Sequence, residues 1–507
     1  MQMQIGAAAL AMAMLSSTAV AADDGEITLV MPGGPQTMDA CQASTTNTGR
    51  IIKQNILEAL TQINPTEGGA APRLATSWEQ DEDGSWIFHI REGVTFHDGT
   101  PLTNEAIIYS FERMLDPALG CDALIFAFSG VAVEVEEIDA TTIRIITEPV
   151  QPILPLIVEG LPIVSLSTPR NEMTREPIGT GPYSLADWDT QTSVTLDRYD
   201  GYWGEQPDVV KATFVWREEA TVRAAMVDLG EADFALAIGE QSVREGDIAF
   251  PTAELTRIKI ANDQPPFDDV RVRMALNYAL DRQALIGTIL NPDLTLANQI
   301  VGPSVFGYNP EIGQYLYDPE AARRLLDEAR ADGVPVDRPI RMISLGGANN
   351  FANADDVRAA FISMWHQVGL EVTNETMEIG LFRESIRREN FEEGRAPTLA
   401  FSNHDNTTGD AGMSIYSKYH SGNMTADIPS DPADAAAQDA MIERGMAAIG
   451  DERREIFQEI LRLQHDVVVP EVWLYYMVNV LRLGDRISYE PNARTNTVIE
   501  LADITFN

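Results

Sequence analysis

A chain of 507 residues with 44% hydrophobic content is long enough for two or three domains, each with a core of its own. Its formal net charge of −41 excludes nucleic acid as a partner and disfavours an anionic membrane surface, since too little positive charge is present to neutralise phosphates. Lysine occurs only at positions 53, 211, 259 and 418, so nearly all positive charge is arginine, a trait read here as surface solubility.

In chain order, the first feature is an export signal. An apolar run of small residues from Ile5 to Leu15 precedes Ala19-Val20-Ala21, a cleavage pattern, and residues 1–21 are assigned to a signal peptide. Its usual basic start is replaced by Met1-Gln2-Met3-Gln4. Ile143 to Leu166 is the most apolar later stretch, but Glu148, Pro149, Pro152, Pro155, Glu159 and Pro162 interrupt it, so no spanning segment is predicted. The expected product is exported and soluble. Cys41 and Cys121 would then meet a compartment that permits a disulfide, and both a bridge and two separate buried thiols stay open. Neither has a His or a second Cys at metal-ligand spacing.

Glu26 to Met31 reads as a strand, and Ile51, Ile52, Ile56, Leu57 and Leu60 as one helical face. Trp78 to Gly84 and Ser85 to Arg91 read as a hairpin. Between Trp86 and Leu115 the pattern is strand, turn at Gly93, strand, tight turn at Asp98-Gly99, and a helix opened by Thr103. From Glu254, the alternation of Leu255, Ile258 and Ile260 with polar neighbours predicts a strand, which Asn262 to Pro266 must end. Asp268 or Asp269 caps the next helix. Its buried face is Val272, Ala275, Leu276, Ala279 and Leu280, with Arg271, Arg273 and Arg282 expected in water. This is read as the passage from a first lobe to a second, which makes an interlobe cleft the expected functional site. Further on, Asp318-Pro319 starts a helix, Arg341 to Leu345 is a strand, and Val357, Phe361 and Trp365 form another helix face. Ala433 to Gly445 and Glu452 to Gln464 read as helices and Val472 to Leu483 as a returning strand, so the lobes are α/β.

The Trp86–Leu115 segment resembles the signature of extracellular solute-binding protein family 5, the peptide, nickel and opine receptors of ABC importers. Ile178-Gly-Thr-Gly-Pro-Tyr-Ser resembles the family's GTGPY turn, and Leu196 to Gly204 its aromatic strand-turn ending in YWG. Thr221 to Asp233, Pro266 to Arg282 and Tyr317 to Leu326 resemble three further family segments, in the family's order. The resemblance implies a large, two-lobed type II periplasmic binding protein. Residues 22–66, 176–262 and 477–507 would form the ligand-facing part of the first lobe, 67–175 a subdomain inserted in it, and 263–476 the second lobe. It further implies a periplasmic monomer that holds a small solute or short peptide and serves an inner-membrane ABC permease, with no cofactor.

A receptor of this kind needs fixed polar groups in a cleft rather than a nucleophile. The long polar loop Phe401 to Ile415 is the prime candidate. In peptide-binding members the corresponding loop carries an Asp that receives the ligand's α-amino group, and Asp405 stands at the matching place. Phe401, Asn403, His404 and Asp410 are candidates from the same loop, though Asp residues that merely cap turns would look the same. The family's tryptophan before the Asp and D-P after it are replaced by Phe401 and Asp410-Ala411, which leaves the solute class open. Thr46 and Asn47 in the first lobe and Asn349 and Asn350 after the 341–345 strand are further candidates. His404 and His420 lack a clustered third ligand, so no metal site is expected. An exported hydrolase or a chaperone-like peptide binder would use the same cleft, but neither a G-x-S-x-G elbow nor an H-E-x-x-H helix is present.

Overall fold

The computed structural model describes residues 25–44, 46–64, 69–124, 128, 130–239, 242–345, 353–386, 396–406, 408–423, 426–429, 431–491 and 498–507. The expected signal peptide lies outside them. One sheet of eleven strands runs through the molecule, with a separate four-stranded antiparallel sheet at 75–148. The large sheet runs in the order Val372–Met377, Ile340–Leu345, Thr398–Asp405, Ile248–Ile260, Glu471–Leu483, Phe234–Leu236, Glu26–Met31, Lys211–Trp216, Ser193–Arg198 and Tyr183–Asp189, and the eleventh strand, Thr295–Leu296, pairs with Glu471–Leu483 off this path. Strands alternate with helices and pair in parallel at 26–31 with 211–216 and at 340–345 with 372–377 and 398–405, as α/β lobes require.

The two strands in the middle of this order, Ile248–Ile260 and Glu471–Leu483, are 13 residues each and antiparallel. They belong to more than one core. Ile248 and Phe250 pack on the first-lobe cluster with Leu236 and Leu481, whereas Ile258 and Ile260 join a second cluster with Val472, Leu474 and Tyr475. Leu255 enters a third, around Ile415, Phe457 and Trp473. The change of core therefore comes between Phe250 and Leu255. The break at Asn262 to Pro266 ends the strand. Its ladder slips between Pro251 and Leu255 and again between Thr256 and Arg257.

The ends of this pair are clamped by buried ions. Arg482 is held by Asp247 at 2.8 Å and Asp228 at 3.0 Å, and Arg257 contacts Glu471. Beneath the second-lobe end lie Lys259 with Asp427 at 2.8 Å and the buried amine of Lys418, pushed down to about 7 by burial and by Arg257. Three of the lysines are thus internal, Lys53 joining Glu159 at 2.5 Å.

Two expectations are corrected. Ile56, Leu57 and Leu60 are buried, but the helix is only Thr46–Ile52. Beyond it Asn55 donates to the carbonyl of Ile499 and accepts from the N–H of Leu501, while the carbonyls of Asn55 and Ile56 accept from Tyr183 and Gly181. The GTGPY turn thus takes up the backbone groups a helix would have used. A Cβ at Gly179 or Gly181 would lie 2.1 Å or 2.3 Å from these carbonyl oxygens. Arg273 and Arg282, expected in water, are buried: Arg273 donates to the carbonyls of Phe267, Val468 and Val469, and Arg282 to those of Trp473 and Tyr315. Both guanidiniums serve carbonyls left over where neighbouring elements end.

Other family segments are joints as well. His97 contacts the carbonyl of Gly181 at 3.0 Å and packs edge-on against Tyr199. Glu58, fully buried, accepts from Arg73 at 2.6 Å, Thr180 at 2.8 Å, Tyr202 at 3.2 Å and Trp203 at 2.8 Å. Close by, burial pushes the Glu500 carboxyl up to about 7, against the pull of Arg73. Cys41 and Cys121 are bridged within one core cluster, although 80 positions apart in sequence.

Two outcomes follow. Reducing the bridge, which closes 80 residues of sequence, is expected to cost about 4 kcal/mol in urea unfolding, on the loop-entropy model. For Glu500, a carboxyl raised in the fold, stability is present below the unfolded value of 4.5 and lost as pH rises through about 7. Glu500→Gln is accordingly expected to raise Tm at pH 8 and to match the unmodified protein near pH 4, read from melting curves across that range.

Candidate functional site

The strand Thr398–Asp405 lies antiparallel to Ile248–Ile260, pairing Phe401 with Ile258, Asn403 with Thr256 and Asp405 with Glu254. Side chains alternate along a strand, so residues 401, 403 and 405 share one face with 258, 256 and 254. Along that face the surroundings change from core to opening: Phe401 is buried, while Asn403, Asp405 and Glu254 are half-buried. The polar end is held in place by Thr256, which donates to Oδ1 of Asn403 at 3.2 Å, and by Asn403, which donates to Glu254 at 2.8 Å. Two carboxylates, Glu254 and Asp405, therefore stand side by side at the carboxyl end of the strand, where the long strands pass between lobes.

Opposite charge comes from the first lobe. Arg50, on the helix Thr46–Ile52, is 7% exposed. Burial lowers its guanidinium to about 10, while Glu254 first and Asp405 second favour its charged form and Arg223 opposes it. Asn47, one turn earlier, accepts a long bond of 3.4 Å from Arg50. Asp405, Asn403 and Asn47 are thus brought together around Arg50 and Glu254, two residues the sequence reading missed. Glu254 looked like an ordinary polar position in an alternating strand, and its only available signal was register with a strand 151 positions away, which local pattern does not carry. Arg50 had a signal, a cation beside the apolar run of Ile51, Ile52 and Ile56, but one it shared with Lys53.

The remaining candidates lie elsewhere. Phe401 sits in the second-lobe core. His404 faces the other side of its strand and contacts the hydroxyl of Ser414 at 2.8 Å, with burial, then Lys418 and Arg257, holding its imidazole well below the usual value. Asp410 caps the helix Ala411–Tyr419 through the N–H of Gly412. Both its oxygens also take Arg453, at 2.9 Å and 3.1 Å, in a buried pair. That carboxylate is spent inside the second lobe, because it closes a helix end and neutralises an internal guanidinium. The side chain of Thr46, and Asn349 and Asn350, lie outside the described residues. Trp473 is fully buried against Tyr315 and His465. Among the described residues no group of three or more His, Cys, Asp or Glu could hold a metal ion, and no helix is long and apolar enough to cross a membrane.

With this geometry in view, the comparisons have a direct bearing. Residues 69–426 match the model of bacterial extracellular solute-binding proteins, family 5 Middle. The chain belongs to this family. It is 30% identical over 389 residues to a glutathione-binding protein of Shigella boydii, covering 73% of each chain. It is 27% identical over 371 residues to heme-binding protein A of Haemophilus influenzae, covering 66% of this chain and 67% of that one. The fold is shared with a dipeptide-binding protein from Pseudoalteromonas sp. SM9913 in complex with Met-Leu, at a TM-score of 0.80 and 17% identity, over 95% of this chain and 100% of the other. The large sheet and its two crossing strands are thus those of a two-lobed type II binding protein, and these relatives are binding proteins rather than enzymes.

The two aspartates are expected to separate cleanly in unfolding measurements. Asp410→Ala leaves Arg453 buried and unpaired and is expected to cost about 3–5 kcal/mol. Asp405→Asn, half-buried at a strand end, is expected to stay within about 1 kcal/mol of the unmodified protein.

Proposed function

We propose that this protein is a periplasmic receptor that closes on a small solute bearing an amine, most simply a peptide or peptide-like compound, and presents it to an inner-membrane ABC permease. One observation carries the reading: the paired carboxylates of Glu254 and Asp405, held by Asn403 at the opening between lobes. Two adjacent carboxylates in a partly desolvated place favour a cation, and an ammonium with three N–H donors can bridge both. The peptide and peptide-like partners in the names of the relatives support the same class, while the heme-binding relative shows how far solutes vary within such similarity.

On this reading the protein makes and breaks no covalent bond. Each lobe supplies part of the contact, so the closed form gains more from the solute than the open form does, and that difference drives closure. The protein would be exported by removal of residues 1–21 and act as a monomer.

The solute carried by protein from its own host, identified by mass spectrometry, is expected to contain a primary or secondary amine. Adding it back to stripped protein should raise Tm and reduce the radius of gyration in X-ray scattering. Asp405→Asn should weaken binding by about tenfold or more, as expected for loss of one charged hydrogen-bond partner. Turnover of an ester or peptide panel, or unchanged affinity in Asp405→Asn, would sink the proposal.

A further inference from the structure

Several internal arginines of this protein are well supplied with acceptors. Arg113 takes both oxygens of Asp39 and the carbonyls of Pro169 and Glu172, Arg453 takes Asp410 and the carbonyls of Gly445 and Met446, and Arg223 takes four carbonyls. Arg50 has fewer. It is 7% exposed, and among the described residues its guanidinium makes one hydrogen bond, the 3.4 Å contact to Asn47. A guanidinium has five N–H donors, and leaving them unmet at such burial is costly.

Arg50 lines a small crevice of the first lobe, open to solvent. Its other walls are mainly apolar, with Phe234, Leu236, Phe250, Leu481, Tyr489 and Pro491 among them. Among the described residues Arg50 is the only charged one on that lining. A hydrophobic crevice with one under-satisfied guanidinium is chemically suited to an apolar body carrying a planar oxyanion, which can take two parallel N–H bonds.

We infer that Arg50 and this crevice form the first-lobe half of the binding site, in which the guanidinium takes a carboxylate of the solute and Phe234, Phe250 and Tyr489 receive its apolar part. The inference rests on the receptor reading above and narrows it: the solute is amphoteric, with its amine toward Glu254 and Asp405 in one lobe and its carboxylate on Arg50 in the other. Such a solute ties the lobes together through its own two charges, and it gives the Arg50 guanidinium acceptors beyond its one long bond to Asn47.

The test uses a panel of free dipeptides with apolar side chains, their C-terminal amides and their N-acetyl forms. Retention is read by native mass spectrometry and affinity by calorimetry, on the unmodified protein, Arg50→Gln, Arg50→Lys and Asp405→Asn. The unmodified protein is expected to favour free dipeptides over amides at least tenfold. Arg50→Gln should lose that preference, binding acids and amides alike, and Arg50→Lys should recover part of it. Asp405→Asn should instead lose its preference for free amines over N-acetyl forms. Because Arg50 makes so little of its burial, its variants should melt at or above the unmodified Tm, whereas removal of an arginine that only supports the fold would lower it. Retention of the acid-over-amide preference in Arg50→Gln, or a Tm lowered in both Arg50 variants, overturns the inference and leaves the receptor reading in place. An unmodified protein that holds no member of the panel overturns the peptide reading and this inference together.

Discussion

The architecture depends on two strands that take part in more than one core. Ile248–Ile260 and Glu471–Leu483 remain hydrogen-bonded to each other through the passage between lobes, so the lobes share one sheet rather than meeting at a surface. Their ends cannot shift independently of the lobes that hold them, because Arg482 is fixed to Asp247 and Asp228 at one end and Arg257 contacts Glu471 at the other. The middle is different. Between Pro251 and Leu255 the ladder loses register, and an interrupted ladder bends at less cost than a continuous one. Glu254 stands in this interval, so the most compliant part of the sheet also carries one of the two carboxylates.

The distribution of internal charge separates support from recognition. Ion pairs in the interior are costly to desolvate and are tolerated when every donor and acceptor is met. Asp39 with Arg113, Asp410 with Arg453 and Glu58 with its four donors meet that condition. Each lies where segments distant in sequence must be joined, which is the work of a tether. The Arg50 guanidinium makes a single long hydrogen bond among the described residues, to Asn47. Residues of the segments that resemble the family's motifs act as tethers: Thr180, Tyr202 and Trp203 converge on Glu58, and His97 on the Gly181 carbonyl.

Much of the fold was legible because periodicity and turn chemistry act locally. The caps at Thr103, Asp269 and Asp318, and the strands at Glu26–Met31 and Glu471–Leu483, follow from a few neighbouring residues. Errors arose where a distant partner decides. Ile56, Leu57 and Leu60 kept helical spacing, yet the GTGPY turn claimed the backbone there. Arg273 and Arg282 were expected in water because charge usually lies outside, but carbonyls of distant elements draw both inward. The proline break at 262–266, the loudest local signal, ends a strand that already takes part in more than one core. Within the candidate site, Asp405 was proposed from the family resemblance and Asn403 and Asn47 from the polar character of their segments, whereas Glu254 needed a register and Arg50 needed a fold.

Strand parity explains why neighbouring polar residues of one loop have different fates. Counting back from Asp405 in steps of two reaches Asn403, Phe401 and Leu399, a line that passes from the opening into the core; His404 falls on the other side, under the helix Ala411–Tyr419. Asp410 lies beyond the strand, where the first free N–H groups of that helix and the guanidinium of Arg453 decide its direction. The same side-chain chemistry is therefore half-buried beside Glu254 at position 405 and buried against Arg453 at 410. A shift of one residue in the pairing of Thr398–Asp405 with Ile248–Ile260 would exchange Asp405 for His404 on the open face and send a carboxylate into the apolar interior. The buried contacts of Phe401 and Leu399 oppose that slip, so the apolar part of the strand fixes the position of the polar part.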